Sequence, residues 1–183
     1  MKNVIFISAA LTALFSINAN AQATGQATLN VNIYPIQTIT VNTSQKNVNL
    51  DYKTVADYAN GVNLDQADHL KIYSTGAFTV SVNSSTDFLT NADAKIDDKI
   101  KSSDITITAT KGSTNELVGA TFTPATLGAA AATLITSDKG GNDKTFNINY
   151  KATGGSDAYI NLYHKDQSPT VYTTNVVYTI AAK

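Results

Sequence analysis

Val171-Tyr-Thr-Thr-Asn-Val-Val-Tyr-Thr-Ile180 is the stretch on which the fold turns. Tyr172, Thr174, Val176, Tyr178 and Ile180 take every second position, and their neighbours are mostly polar. Side chains two apart share one face of a strand, whereas a helix repeats every 3.6 residues. The run therefore predicts a terminal core strand with Tyr172, Val176, Tyr178 and Ile180 facing inward. Phe146, Ile148 and Tyr150 repeat the pattern, as do Ile105, Ile107 and Ala109.

Upstream, His69, Lys71 and Tyr73 alternate with Leu70, Ile72 and Ser74; Gly76 breaks the run, and Phe78, Val80 and Val82 are expected to return as a hairpin partner. Val48, Leu50 and Tyr52 predict a short strand, and Thr54 to Asn60 closed by Gly61 predicts one helical turn with a C-cap. Leu117 to Phe122 and Thr133 to Thr136 read as strands around the loose tract from Leu127 to Ala132. Asn91 to Ser103 is polar and charged, a surface loop or short helix. Turn clusters fall at Lys111 to Ser113, Ser137 to Lys144 and Gly154-Gly155.

Many short strands punctuated by turns define an all-β, antiparallel sandwich. No repeat of fixed period and no linker divides it, so residues 22–183 are expected to form a single domain. An eight-stranded membrane barrel is the competing architecture. It needs an outward apolar band and usually a terminal aromatic, whereas this chain ends Ala181-Ala182-Lys183.

The opening residues read as a secretory signal peptide, 1–21. Lys2 supplies the positive region, Val4 to Ile17 the apolar one, and Ala19-Asn20-Ala21 the small residues of a cleavage site. That apolar run, about 14 residues, is short for a membrane span, and no later run approaches one. The expected protein is exported, to the periplasm or the cell surface of a bacterial envelope. The chain has no Cys, so it carries no lipid attachment point and no disulfides. All 13 of its basic side chains are Lys, against 14 acidic ones. Without Arg there is no planar fork for phosphate, and a near-neutral balance gives no field for nucleic acid.

Little in the sequence promises chemistry. The two histidines, His69 and His164, stand far apart. Asp68 beside the first and Asp166 near the second are the neighbours able to orient an imidazole, but no nucleophile elbow accompanies them. No catalytic, cofactor or metal residues are expected. The spacing of Asn91, Asp93, Lys95 and Asp97 has the start of a calcium loop, but Ile96 and Ser102 occupy the positions that need Gly and Glu. Asp138, Asn142 and Asp143 offer oxygens within a turn. Among the nine tyrosines, Tyr159, Tyr163 and Tyr172 lie near the last loop as a candidate platform for sugar rings, while Tyr150, Tyr172 and Tyr178 fall in phase with core positions.

The mature N-terminus alternates again. Ala23, Gly25, Ala27, Leu29, Val31 and Ile33 point one way, with Thr and Asn between, which predicts a half-buried strand. After Pro35 the alternation resumes at Ile39 and Val41. Ala27-Thr-Leu-Asn-Val-Asn-Ile33, then Pro35 and Ile39-Thr-Val41, resembles the opening of archaic chaperone–usher pilins and their spore-coat-U-like relatives. The closing strand is similar to the Y-T-x-x-V-x-Y-T-I ending of those subunits and of WxL-type wall-binding domains. The resemblance implies an immunoglobulin-like sandwich lacking one strand. It also implies a structural or adhesive role in which Ala27, Leu29, Val31 and Ile33 are donated to a neighbouring subunit or another envelope protein. The alternative for this segment is the chain's own first strand. The alternative for the protein is a peptidoglycan- or glycan-binding module, although the Trp that names the WxL motif is absent.

Overall fold

The computed structural model describes residues 23–155, 157 and 159–183. The signal peptide read over 1–21 lies outside the described residues. Contacts divide the chain at Asn32/Ile33, and Ile33–Lys183 forms one compact unit. Its strands are β1 (Gln37–Val41), β2 (Val62–Ser74), β3 (Phe78–Ser84), β4 (Phe88–Asn91), β5 (Lys99–Lys101) and β6 (Ile105–Lys111). After them come β7 (Thr121–Phe122), β8 (Ala125–Thr126), β9 (Ala132–Ser137), β10 (Gly141–Ala152), β11 (Tyr172–Thr173) and β12 (Val176–Ala182). The helix α1 (Val55–Asn60) is the turn expected from the sequence. Thr54 and Asp57 form a reciprocal capping box at its start, and Gly61 at φ 79° closes it.

Three antiparallel sheets result, ordered β1-β2-β10-β6-β8, β12-β3-β9-β7 and β11-β4-β5. The first two pack on one core. Leu70, Ile72, Ile107, Phe146 and Ile148 come from one, and Phe78, Val80, Val82, Leu134 and Ile135 from the other. In β3 the alternation is complete: Phe78, Val80, Val82 and Ser84 are buried and the residues between them are not. The larger sheet follows the A-B-E-D order of an immunoglobulin-like sandwich in β1-β2-β10-β6, and β3 beside β12 takes the place of C beside F.

The structure departs from the sequence reading in several places. β2 and β3 are not a hairpin: they lie in different sheets, and the Gly76 turn carries the chain across the core. Leu70 and Ile72 face Phe78 and Val80 from opposite sheets, so one unbroken parity suits both arrangements. Val48, Leu50 and Tyr52 pack half-buried against the core without joining a ladder. Of Leu117 to Phe122, Thr121–Phe122 alone is a strand, and the polar segment from Asn91 to Ser103 contains β5. The terminal alternation is kept, with Tyr172, Val176, Tyr178 and Ile180 all half-buried, but it is divided between β11 in the small sheet and β12 in the sandwich.

Replacing a fully buried aromatic removes its transfer energy and leaves a cavity. Phe146→Ala is expected to lower the unfolding free energy by about 3–5 kcal/mol. Thr179→Ala, on the outward face of β12, should change it by no more than about 0.5 kcal/mol. Urea denaturation of the two variants checks both values.

Candidate assembly edge and buried polar relay

The outermost strands are unequal. At one margin of the two main sheets stand β8 and β7, each of two residues. At the other stand β1, of five residues, and β12, of seven. Very short edge strands are one way of preventing a sheet from recruiting another chain. β12 lacks that protection. It pairs with β3 along its whole length, from Val176↔Ser84 to Ala182↔Phe78, and no strand pairs with its other side among the described residues. In the immunoglobulin-like order that side is where strand G would lie.

Apolar side chains along this margin are incompletely covered. Val176, Tyr178 and Ile180 of β12 and Ile39 and Val41 of β1 pack on the core yet stay half-exposed. The two strands adjoin each other. They leave a row of apolar residues at every second position, which is what an added strand could cover.

Residues 23–36 form no strand or helix. Leu29, Val31 and Ile33, expected to be half-buried, are 88%, 77% and 82% exposed, and Ala27 is exposed as well. The first strand of the sandwich begins only at Gln37, after Pro35. A proline has no N–H for a ladder, so the break there agrees with its chemistry.

Behind β12 lies a chain of polar groups that sequence reasoning did not assemble. His69 alternates with Leu70 in the same phase as the exposed Lys71, yet it is buried, at 1% exposure. The cause is a bulge. Phe146 pairs with Leu70 and Ile148 with Gln66, so β2 holds two extra residues there. Asp68 takes φ 49° in the bulge, and its amide donates to Asn147 Oδ1 at 2.7 Å. Two extra residues leave the parity of β2 unchanged, so Leu70 stays inside and His69 turns in beside it.

The turn Thr43–Gln45 completes the site. Asn42 caps it by accepting from Ser44 N, and its own amide donates to His69 O at 2.8 Å. This brings Gln45 Oε1 to 2.9 Å from His69 Nδ1, while Gln45 Nε2 donates to Ala67 O at 3.0 Å. An amide oxygen only accepts, so Nδ1 carries the proton and Nε2 accepts. Tyr150 Oη, 2.8 Å from Nε2, is then the donor, and Tyr178 Oη donates to Tyr150 Oη at 2.7 Å. The relay runs one way, from Tyr178 on the free edge to His69 inside. Burial pushes the Tyr150 phenol up to about 12, raises Tyr178 as well, and holds the His69 imidazole below its ordinary value. A buried tyrosine needs a partner for its hydroxyl. The in-phase pair Tyr150 and Tyr178 was the one sequence signal of this relay.

The other sequence candidates are dispersed. Asp68 does not orient His69: its carboxylate accepts from Ser113 N, Thr114 N and Thr114 Oγ1. Desolvation opposes its charge, but these hydrogen bonds outweigh it and lower its pKa. His164 pairs with Asp98 at 2.9 Å rather than with Asp166. Asn91 and Asp93 use side-chain oxygens to accept from Asp93 N and Lys95 N. Asp138 pairs with Lys183 and Asp143 with Lys71. Among the described residues no three His, Asp or Glu side chains gather as metal ligands would.

The sugar platform is overturned at Tyr159. Tyr159 is buried, edge-on to Tyr52 with ring centroids 5.0 Å apart, so it offers no face to a ligand. Tyr163 is exposed. Tyr172 directs its hydroxyl to Leu162 O at 2.8 Å.

The class that this architecture defines is an all-β, immunoglobulin-like sandwich with an open edge. No family model matches the chain, and no curated protein matches it.

The relay gives stability a definite pH dependence. The unfolded imidazole, with a pKa of about 6.5, takes up a proton before the buried one does. Its contribution is therefore complete above that value and is lost as pH falls through the interval down to the lowered native pKa. Asp68 acts in a separate window, because carboxylate stabilisation is lost only as pH falls below about 4. The urea midpoint of the wild-type protein is expected to decline between pH 7.5 and 5, and His69→Gln is expected to flatten that decline.

Proposed function

We propose that this protein is a non-catalytic structural or adhesive subunit of a bacterial envelope, exported by its N-terminal leader. It assembles by laying its Ala27–Ile33 segment along the free edge of β12 in a neighbouring copy. One observation carries this reading: among the described residues, a seven-residue edge has no partner strand, and upstream an alternating segment of the same length pairs with none. Leu29, Val31 and Ile33 repeat with the period of the half-covered row on β1 and β12. The open edge falls where an immunoglobulin-like sandwich places its last strand, and the archaic pilins that the two ends of this chain resemble are sandwiches lacking one strand, which a neighbouring subunit supplies.

Energetics make all three apolar residues necessary. Burying each is worth roughly 1.5–3 kcal/mol, together about 5–9 kcal/mol. Lost translational and rotational freedom on association costs about 4–15 kcal/mol. The balance is supplied by main-chain pairing along the edge, and it tolerates no buried charge.

Val31→Asp should therefore abolish assembly while leaving thermal unfolding of the sandwich unchanged. Sedimentation velocity at a series of concentrations reads this directly. A wild-type chain that stays monomeric throughout would count decisively against strand donation.

A further inference from the structure

We propose that the relay from Tyr178 through Tyr150 to His69 makes strand seating on β12 acid-sensitive, so that a seated strand is held at neutral pH and released as His69 takes up a proton. This rests on the reading of the β12 edge given above and names how that edge is regulated.

The argument is one of hydrogen-bond direction. With Nδ1 committed to Gln45, His69 has Nε2 as its one site for a second proton. Protonation there turns an acceptor into a donor. Tyr150 Oη must then accept from Nε2 and give its own proton to Tyr178 Oη, which lies 2.7 Å away. Tyr178 is left donating in the opposite direction, away from Tyr150. While the edge is open, water can accept that proton. Once an apolar strand side chain covers Tyr178, no acceptor is left there, and an unmade buried hydrogen bond is costly. Seating thus opposes protonation, and by linkage protonation opposes seating to the same degree.

The surroundings leave His69 as the group that titrates. Facing the ring are Tyr150 from β10, Tyr178 from β12 and Gln45 from the Thr43–Gln45 turn, with the Asn42 amide on the His69 carbonyl. Both phenols stay protonated in this range, since their pKa values are raised. The neighbouring Asp68 carboxylate is occupied by Ser113 and Thr114, and burial alone accounts for the lowered imidazole.

The test uses the full chain carrying Val31→Asp, which on this reading keeps the edge vacant, and a fluorescein-labelled peptide of residues 23–33 with the native sequence. Anisotropy titrations at pH 7.5 and 5.0 measure capture. Below both the free and the strand-bound pKa, each unit by which seating lowers the His69 pKa weakens capture by a factor of about 10, and weaker capture at pH 5.0 than at pH 7.5 is expected. The loss should vanish when His69→Gln is added. It should also vanish with Tyr150→Phe, which leaves His69 free to titrate but cuts it from Tyr178. Equal capture at both pH values, or an acid loss that survives both substitutions, overturns the inference and spares the assembly reading. No capture at pH 7.5 removes the assembly reading and this inference with it. Should either added substitution prevent folding, imidazole NMR on the Val31→Asp chain decides: peptide must lower the His69 pKa, and an unmoved pKa overturns the proposal.

Discussion

A strand whose side chains alternate must cover one whole face, and at β1 and β12 the sandwich covers its inner face only in part. The interior proper is closed. Leu70, Ile72, Phe78, Phe146 and Leu134 are fully enclosed between the two sheets. At the margin the same alternation continues through Ile39, Val41, Val176, Tyr178 and Ile180, but each of these keeps one flank exposed. With no disulfide to compensate, every such flank is burial forgone by a chain that depends on burial for its stability.

The relay explains why a histidine is tolerated in so apolar a place. A buried imidazole with one nitrogen unpartnered would be costly, but both nitrogens of His69 are satisfied, and no buried side-chain nitrogen or oxygen among the described residues lacks a partner. A network in which every donor has one acceptor is also directional. That direction reaches a residue of the open edge, so a proton taken up inside is felt where a strand would sit. A hydrophobic residue in place of His69 would take the partner from Gln45 Oε1 and Tyr150 Oη and carry no such coupling.

Alternation made β3, β6, β10 and β12 legible, because in each the apolar residues keep one parity against a continuous partner. It failed where parity is silent. The bulge at Asp68 adds two residues, which restores the phase and conceals the inward turn of His69. The Gly76 connection joins two strands of equal parity, and sequence cannot say whether they share a sheet or face one another. Tyr159 and Tyr163 read alike as loop aromatics, yet packing on Tyr52 buries the first and not the second. At the N-terminus the alternation holds as a pattern and not as burial: Leu29, Val31 and Ile33 have the spacing of a core face and are exposed. Periodicity specifies what a segment can pair with, and leaves open whether that partner belongs to the same chain.

The contrast between the two margins of the sandwich bears on that last point. β7 and β8 stop after two residues, which leaves little backbone for another chain to pair with. β12 runs for seven and carries no proline or inward charge. Its one Lys neighbour, Lys183, comes after its end and is drawn to Asp138. A monomer selected only against aggregation would be expected to guard its longest edge first. Here the longest edge is the unguarded one, and it adjoins the half-covered row from β1. An edge left open in this way supports the strand addition proposed for it.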